Sequence, residues 1–403
     1  MDAFLARQPI LDRQGNVFAY ELLYRESLEN HAGEAPGEKG TANVLLNAFG
    51  TFGLEEVTGG KHAFINLTRE LLISDYAQIL PADRVVLEIL EGVEPDAEVI
   101  ATARTLVAKG YTLALDDFVF DARFHDLLGI ADIVKVDLAR LSESAVSAEV
   151  DALSPYRRRL VAEKVESPSQ YESAYDLGFD YFQGYYFSRP MVMSARRLPA
   201  ASLSVLRSMR EVLAARHHDE LATIITADLS LSYRLLRLIN SAASGLRQEV
   251  TSIRHALALL GLVAVKKWLA LILLTEVGTN KPTELLRLAL IRAKMLECLA
   301  SASNPDGRAQ AFTVGLFSTI DAVLDLPMAD ALEPLHFSTE SCDALLKHQG
   351  ILGQLLALAI AYERGDWSAM GDPAANVGLS IDAITRAYLD ALSWTEKTID
   401  AGL

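Results

Sequence analysis

The chain has 403 residues, 51% of them hydrophobic, which is enough to bury sizeable cores and too long for one ordinary domain, so two or more domains are expected. Its net charge of −16 is uneven: residues 1–195 hold 17 Lys and Arg against 31 Asp and Glu, a net of −14, and the remainder holds 20 against 22. A front half this acidic argues against nucleic acid as a partner, because binding a phosphate backbone needs basic surface, and it favours divalent cations instead. Asp2 and Arg7 do not fit a secretory signal, and Cys298 and Cys342 are too few for a disulfide framework. The most apolar stretch, residues 256–274, is broken by Lys266 and Lys267 and reads as a buried helix, so no membrane span is expected and the location is expected to be cytoplasmic.

In chain order, short apolar runs in the front half end on residues that can bind metal or move a proton. Run 19–21 ends on Glu21, 63–66 on Asn66, 85–88 on Glu88 and 113–117 on Asp116 and Asp117. Run 133–137 carries Lys135 and Asp137, 160–163 ends on Glu163, and 180–183 ends on Gln183. Runs of this length read as strands buried on both faces, and the intervals between several of them can hold a helix, so the pattern predicts an α/β fold of the TIM-like βα-barrel type. In such a barrel the carboxyl ends of the strands meet at one mouth, where these residues would converge. A single acidic strand end is ordinarily a solvated turn residue; the set is what points to a site.

A polar, proline-marked stretch at 194–199 sets an expected boundary near residue 195, with a barrel over 1–195 and an all-α domain over 196–403. Beyond it the apolar residues recur at helical spacing, as in Leu221, Ile224 and Ile225, then Leu235, Leu238 and Ile239, then Leu352, Leu355 and Leu356.

These residues carry a family resemblance. Gln8-Pro9-Ile10, Tyr20-Glu21-Leu22-Leu23-Tyr24-Arg25, Phe64-Ile65-Asn66-Leu67, Leu87-Glu88-Ile89-Leu90-Glu91, Leu115-Asp116-Asp117-Phe118, Val134-Lys135-Val136-Asp137, Ala162-Glu163-Lys164-Val165-Glu166 and Gln183-Gly184-Tyr185 together resemble the EAL family of cyclic-di-GMP phosphodiesterases. Residues from about 197 onward resemble the HDOD module, most clearly in 235–242 and 253–261. The resemblance implies an EAL-type barrel that takes cyclic-di-GMP and uses Mg²⁺ or Mn²⁺ held by Glu21, Asn66, Glu88, Asp116 and Asp117, with Asp116 between two ions. It further implies Lys135 beside the attacking water, Glu163 as base or metal ligand, Gln183 orienting water, and Gln8, Arg25 and Glu166 toward the substrate. Asp137 and Glu166 could equally be structural, paired with Lys135 or Lys164.

Three departures bear on whether the barrel is an enzyme or a receptor that only binds the nucleotide. Leu22 replaces a small Ala; the loop Phe118-Val119-Phe120-Asp121-Ala122-Arg123-Phe124 replaces a glycine-rich run; and Lys164 stands where a glycine is expected, next to Glu163. In the second half, Ser318-Thr319 occupies the position where a metal-dependent HD enzyme would have His-Asp, and His217-His218-Asp219 reads as a solvated helix-loop junction. That half is expected to act as a protein-interaction module, through self-association or a partner. Residues 196–280 carry a net of +5 and 281–403 a net of −7, which suggests electrostatic docking to an acidic surface.

Overall fold

The computed structural model describes residues 4–25, 53–188, 200–241, 244, 246, 248–278, 281–300 and 305–401. The chain forms two compact units, the first made of Met1–Phe187 with Tyr362–Ser368 and the second of Ser188–Ala361 with Ala369–Leu403. The boundary expected near residue 195 falls outside the described residues.

In the first unit eight strands close a barrel in sequence order: β1 (Phe4–Asp12), β2 (Val17–Arg25), β3 (His62–Leu67), β4 (Val85–Ile89), β5 (Thr112–Leu115), β6 (Ile133–Asp137), β7 (Arg159–Glu163) and β8 (Tyr181–Gln183). Strands β2 to β8 pair parallel, as the apolar runs predict. β1 departs from that pattern by running antiparallel to both β2 and β8. Its hairpin to β2 turns on Asp12, whose Oδ1 accepts from the backbone of Gln14 and Asn16, and on Gly15 at φ +80°. The connecting helices have local start signals. Asp96 caps Ala97–Ala108 by accepting from the amides of Glu98 and Val99, and Ser167 with Gln170 forms a capping box ahead of Pro168–Asp176.

The barrel interior explains the placement of the site. Ile10, Ala19, Phe64, Val86, Ala114, Ile133 and Val161 form a buried plug, with Phe18 and Tyr181 packed on it. Side chains on a strand alternate faces with a period of two, so a step of two residues from the plug reaches the next interior layer. That step leads from Ala19 to Glu21, Phe64 to Asn66, Val86 to Glu88, Ala114 to Asp116, Ile133 to Lys135, Val161 to Glu163 and Tyr181 to Gln183, and on the reversed β1 from Ile10 to Gln8. The polar layer therefore sits directly above an apolar floor that excludes water from below.

The second unit is helical in its described residues, as predicted. In helix Leu229–Ile239 the residues Leu231, Leu235, Leu238 and Ile239 are buried, following the 3.6-residue period. Asn240 follows it and locks the next segment, donating to the Val250 carbonyl at 2.9 Å and accepting from the Val250 amide at 2.7 Å. Gly315 lets two helices approach closely, since a Cβ there would lie 2.5 Å from the Ala293 nitrogen. By length and composition Ile253–Val277 and Thr339–Glu363 are apolar enough to cross a membrane; 44% and 50% of their most apolar windows are buried within the protein. The first is broken at Gly261, φ 80° and ψ 169°. At the junction of His217, His218 and Asp219, Glu220 accepts from the backbone amides of Arg216 and His217, so the segment is a helix start. Ser318 accepts a hydrogen bond from Arg292 and donates to the Gly315 carbonyl, and burial raises the Asp321 pKa from its ordinary value.

Candidate functional site

The interior layer gathers carboxylates around one ammonium. Lys135 Nζ, completely buried, lies 2.7 Å from Glu163 Oε1, 3.0 Å from Asp116 Oδ1 and 3.2 Å from Glu21 Oε2, and it also pairs with Glu88. Glu21 is held from two more sides: Asn66 Nδ2 donates to its Oε1 at 2.9 Å and Gln183 Nε2 to its Oε2 at 2.6 Å. Gln183 also donates to Gln8 Oε1 at 3.0 Å. Thus Gln8, Glu21, Asn66, Glu88, Asp116, Lys135, Glu163 and Gln183 are brought together from all eight strands, or the residue following one.

One ammonium does not balance three buried carboxylates and the partly buried Asp116, and the protonation of the site reflects it. Burial raises Glu88 well above the ordinary carboxylate range; Lys135 opposes that, while Glu21, Asp116 and Glu163 add to it. Glu163 is pushed up to about 8 by burial, against the pull of Lys135 and with the repulsion of Asp116 and Glu21. For Lys135 burial disfavours the charge, but Glu163, Glu21, Glu88 and Asp116 outweigh it and hold the ammonium above its usual pKa.

Among the described residues two oxygen groups have ligand geometry: Glu21, Glu88 and Glu163, and Asp116, Asp117 and Glu163, each offering atoms within 4.8 Å of one another. Glu88 Oε2, Glu163 Oε2 and the Gln183 carbonyl are buried and accept no hydrogen bond. Hard anionic oxygens with unused acceptor capacity and a deficit of positive charge suit a divalent cation of the Mg²⁺, Mn²⁺ or Ca²⁺ type.

Asp117 stands apart from this layer, at the rim, with φ +43°. It pairs with Arg140 at 3.0 Å and Lys164 at 3.4 Å, and the same two cations reach Asp137 at 3.1 and 2.5 Å. Lys164 has φ +53°, a left-handed conformation natural to glycine, and its ammonium turns to a carboxylate of the candidate site. The loop after Asp117 is fixed without glycines. The Phe118 amide donates to the Lys135 carbonyl, the Phe120 amide donates to Glu149, Asp121 accepts from the Arg123 amide, and Phe118 meets Phe124 edge to face.

Glu166 is exposed, and its backbone amide bonds to Gln170 in the capping box. The Arg25 side chain lies outside the described residues, although the backbone there ends β2. Arg140 was not anticipated, because three residues beyond Asp137 in a turn it has no motif signal. Neither were the neighbours of Gln8, which donates to the Arg364 carbonyl at 3.3 Å and reaches Tyr185 Oη at 3.5 Å.

Comparison with known proteins adds family context. Residues 55–190 match the EAL domain and residues 198–335 the HDOD domain. The chain is 34% identical over 412 aligned positions to YuxH of Bacillus subtilis, with the full length of both covered. It is 29% identical to the cyclic di-GMP phosphodiesterase CdgJ of Vibrio cholerae, over 98% of this chain and 92% of that one. Among solved structures, the Bacillus subtilis YkuI protein with an EAL domain, in complex with cyclic-di-GMP and calcium, is 22% identical with a TM-score of 0.39, covering 64% of this chain and 73% of that one.

Proposed function

Because the chain belongs to the family of proteins that join an EAL domain to an HDOD domain, we propose that its barrel acts in cyclic-di-GMP signalling by opening one phosphodiester of cyclic-di-GMP to leave the linear dinucleotide, with Mg²⁺ or Mn²⁺ as cofactor. The observation that carries this reading is the ring of Glu21, Glu88, Asp116 and Glu163 around Lys135 above a closed apolar floor. A divalent cation bound by those oxygens, with Asn66 and Asp117 beside them, would supply acidity to water and neutralise charge on phosphoryl oxygens. Lys135 keeps its proton because four carboxylates surround it, so it serves as a fixed positive charge beside the reacting phosphate. Glu163, which a pKa of about 8 keeps protonated at neutral pH in the metal-free site, would give up that proton when a cation binds and then serve as metal ligand or as base toward the attacking water. Gln183 directs its amide nitrogen to Glu21 and Gln8 and leaves its carbonyl free to accept a hydrogen bond from that water.

Hydrolysis of cyclic-di-GMP by purified protein with Mn²⁺ tests the reading, with Glu21→Ala and Asp116→Ala expected to lower turnover by orders of magnitude while the fold persists. Undiminished turnover in both variants would remove the ligand assignment. A receptor reading is favoured by the pairing of Asp117 with Arg140 and Lys164, which engages one candidate ligand with two side-chain cations. It requires nucleotide binding that is insensitive to chelator and accompanied by no turnover. In either case the helical domain, 196–403 in this proposal, couples the barrel of 1–195 to a second copy or a protein partner in the cytoplasm.

A further inference from the structure

The first unit includes Tyr362–Ser368, a stretch outside both matched family domains and directly continuous with helix Gly350–Glu363. Its backbone is fastened to the rim of the polar layer. Tyr185 Oη donates to the Glu363 carbonyl at 3.0 Å, Gln8 Nε2 donates to the Arg364 carbonyl at 3.3 Å, and the Arg364 guanidinium lies 5.0 Å from the centre of the Tyr185 ring. Gly365, at φ +65°, rests so close to β2 that a Cβ there would come within 2.8 Å of Leu23 Cδ1. Trp367 is buried edge-on against Tyr362, anchoring the far end.

The polarity of this network follows from its two ends. A peptide carbonyl and a carboxylate only accept hydrogen bonds. Tyr185 must therefore donate to Glu363, and Gln8 must turn its NH₂ group toward Arg364, which leaves the Gln8 carbonyl facing inward. Gln183 is then compelled to offer both N–H bonds, one to Gln8 at 3.0 Å and one to Glu21 at 2.6 Å, and to turn its own carbonyl toward the site. Without the carbonyls of Glu363 and Arg364, the Gln8 amide would lose its outer acceptors, and Gln183 would be oriented by the Glu21 carboxylate alone.

We propose that Tyr362–Ser368 is a strap that orients the site: through Gln8 as a positioning residue it fixes the Gln183 amide and the Glu21 carboxylate, and so sets metal affinity and turnover at the cluster. The inference rests on the reading of that cluster as a metal centre. Because the strap is the continuation of helix Gly350–Glu363, a displacement of that helix pulls on Gln8, giving the second half of the chain a covalent path to the site. Gln8 thereby becomes a residue that acts through Gln183.

Three variants of the full chain test the strap: Gly365→Val, the same change with Leu23→Ala to relieve the clash, and Gln8→Glu, which cannot donate to the Arg364 carbonyl when ionised. Mn²⁺ affinity is read by calorimetry, strap release by tryptic cleavage after the exposed Arg364, and kcat and KM with cyclic-di-GMP. Gly365→Val is expected to speed cleavage at Arg364 and weaken Mn²⁺ binding by about 10- to 100-fold, the range for loss of a group that orients a metal ligand; the added Leu23→Ala should restore both in part, since it clears the clash but leaves valine at a left-handed φ. Gln8→Glu should weaken Mn²⁺ binding and lower kcat with KM unchanged. Mn²⁺ affinity unaltered in Gly365→Val despite faster cleavage, or unaltered in Gln8→Glu, would overturn the proposal. A rise in KM alone in Gln8→Glu would overturn it too, by showing that Gln8 contacts substrate. An unmodified protein that binds no Mn²⁺ would overturn the metal reading, and the strap's role with it.

Discussion

Glu163→Gln should make the metal-free protein more stable while making it a poorer metal binder. Glu163 is 5% exposed, and in the metal-free fold burial and neighbouring carboxylates raise its pKa to about 8, from 4.5 unperturbed. The folded state therefore holds its proton more tightly than the unfolded chain does. Stability from this group is fully present below the unfolded value and is lost as pH rises toward the folded one. At about 1.36 kcal/mol per pKa unit, the loss between pH 5.5 and 8.5 integrates to about 3 kcal/mol. Glutamine has the same shape and no proton to lose, so the variant should lack that part of the pH dependence. Urea unfolding in EDTA across this range, for both proteins, measures it directly. Mn²⁺ should reverse the order: at a hundred times Kd it stabilises the unmodified protein by about 2.7 kcal/mol, whereas the variant, lacking a ligand common to both oxygen groups, should gain far less. Parallel pH–stability curves for the two proteins would refute the argument, since the buried charge would then carry no folding cost.

Lys164→Gly should suit a backbone already at φ +53° and release Asp117 from one of its two cations; the expected results are a higher melting temperature and a larger number of Mn²⁺ ions bound per chain by calorimetry. Gly184→Ala should prevent stable folding, because its Cβ would fall 2.1 Å from the Val165 carbonyl oxygen, and a normal circular-dichroism melt would contradict this. For the helical half, Arg234 donates to the Ile272 carbonyl and Thr275 and pairs with Glu276, so its reversal would disturb the unit itself. The exposed Arg237 is the cleaner probe: Arg237→Glu should weaken any self-association seen by light scattering, which should also weaken as salt rises, and indifference to both would assign that contact to apolar faces.

How much of this was legible depends on whether a feature is periodic or three-dimensional. The barrel was readable because each parallel strand carries an apolar run whose inward residues alternate, so Phe64 predicts Asn66 and Val86 predicts Glu88 as members of one layer. β1 escaped as a strand because Arg7, Gln8 and Pro9 interrupt its apolar pattern; Arg7 is nevertheless 3% exposed, with its guanidinium over the Tyr20 ring and bonded to the Val57 carbonyl. The carboxylates could be named from strand ends, but the central place of Lys135 among four of them could not, since each pair is set by barrel closure and no local spacing encodes it.

The effect of the three departures is likewise set in three dimensions. Lys164 was visible as a residue in a glycine position, but only the φ of +53° shows that the backbone kept the glycine conformation, which turns its side chain toward Asp117 and Asp137. The glycine-free loop is held by hydrogen bonds of Phe118, Phe120 and Asp121 that its composition does not announce. The strap lies farthest from any sequence signal: Gln8 and Arg364 are 356 positions apart, and each looks ordinary in its own neighbourhood. What joins them is hydrogen-bond polarity, which becomes arguable only once both acceptor-only ends of the network are known. A change in the active layer that begins at Arg364 would therefore be invisible to any reading confined to the barrel's own motif residues.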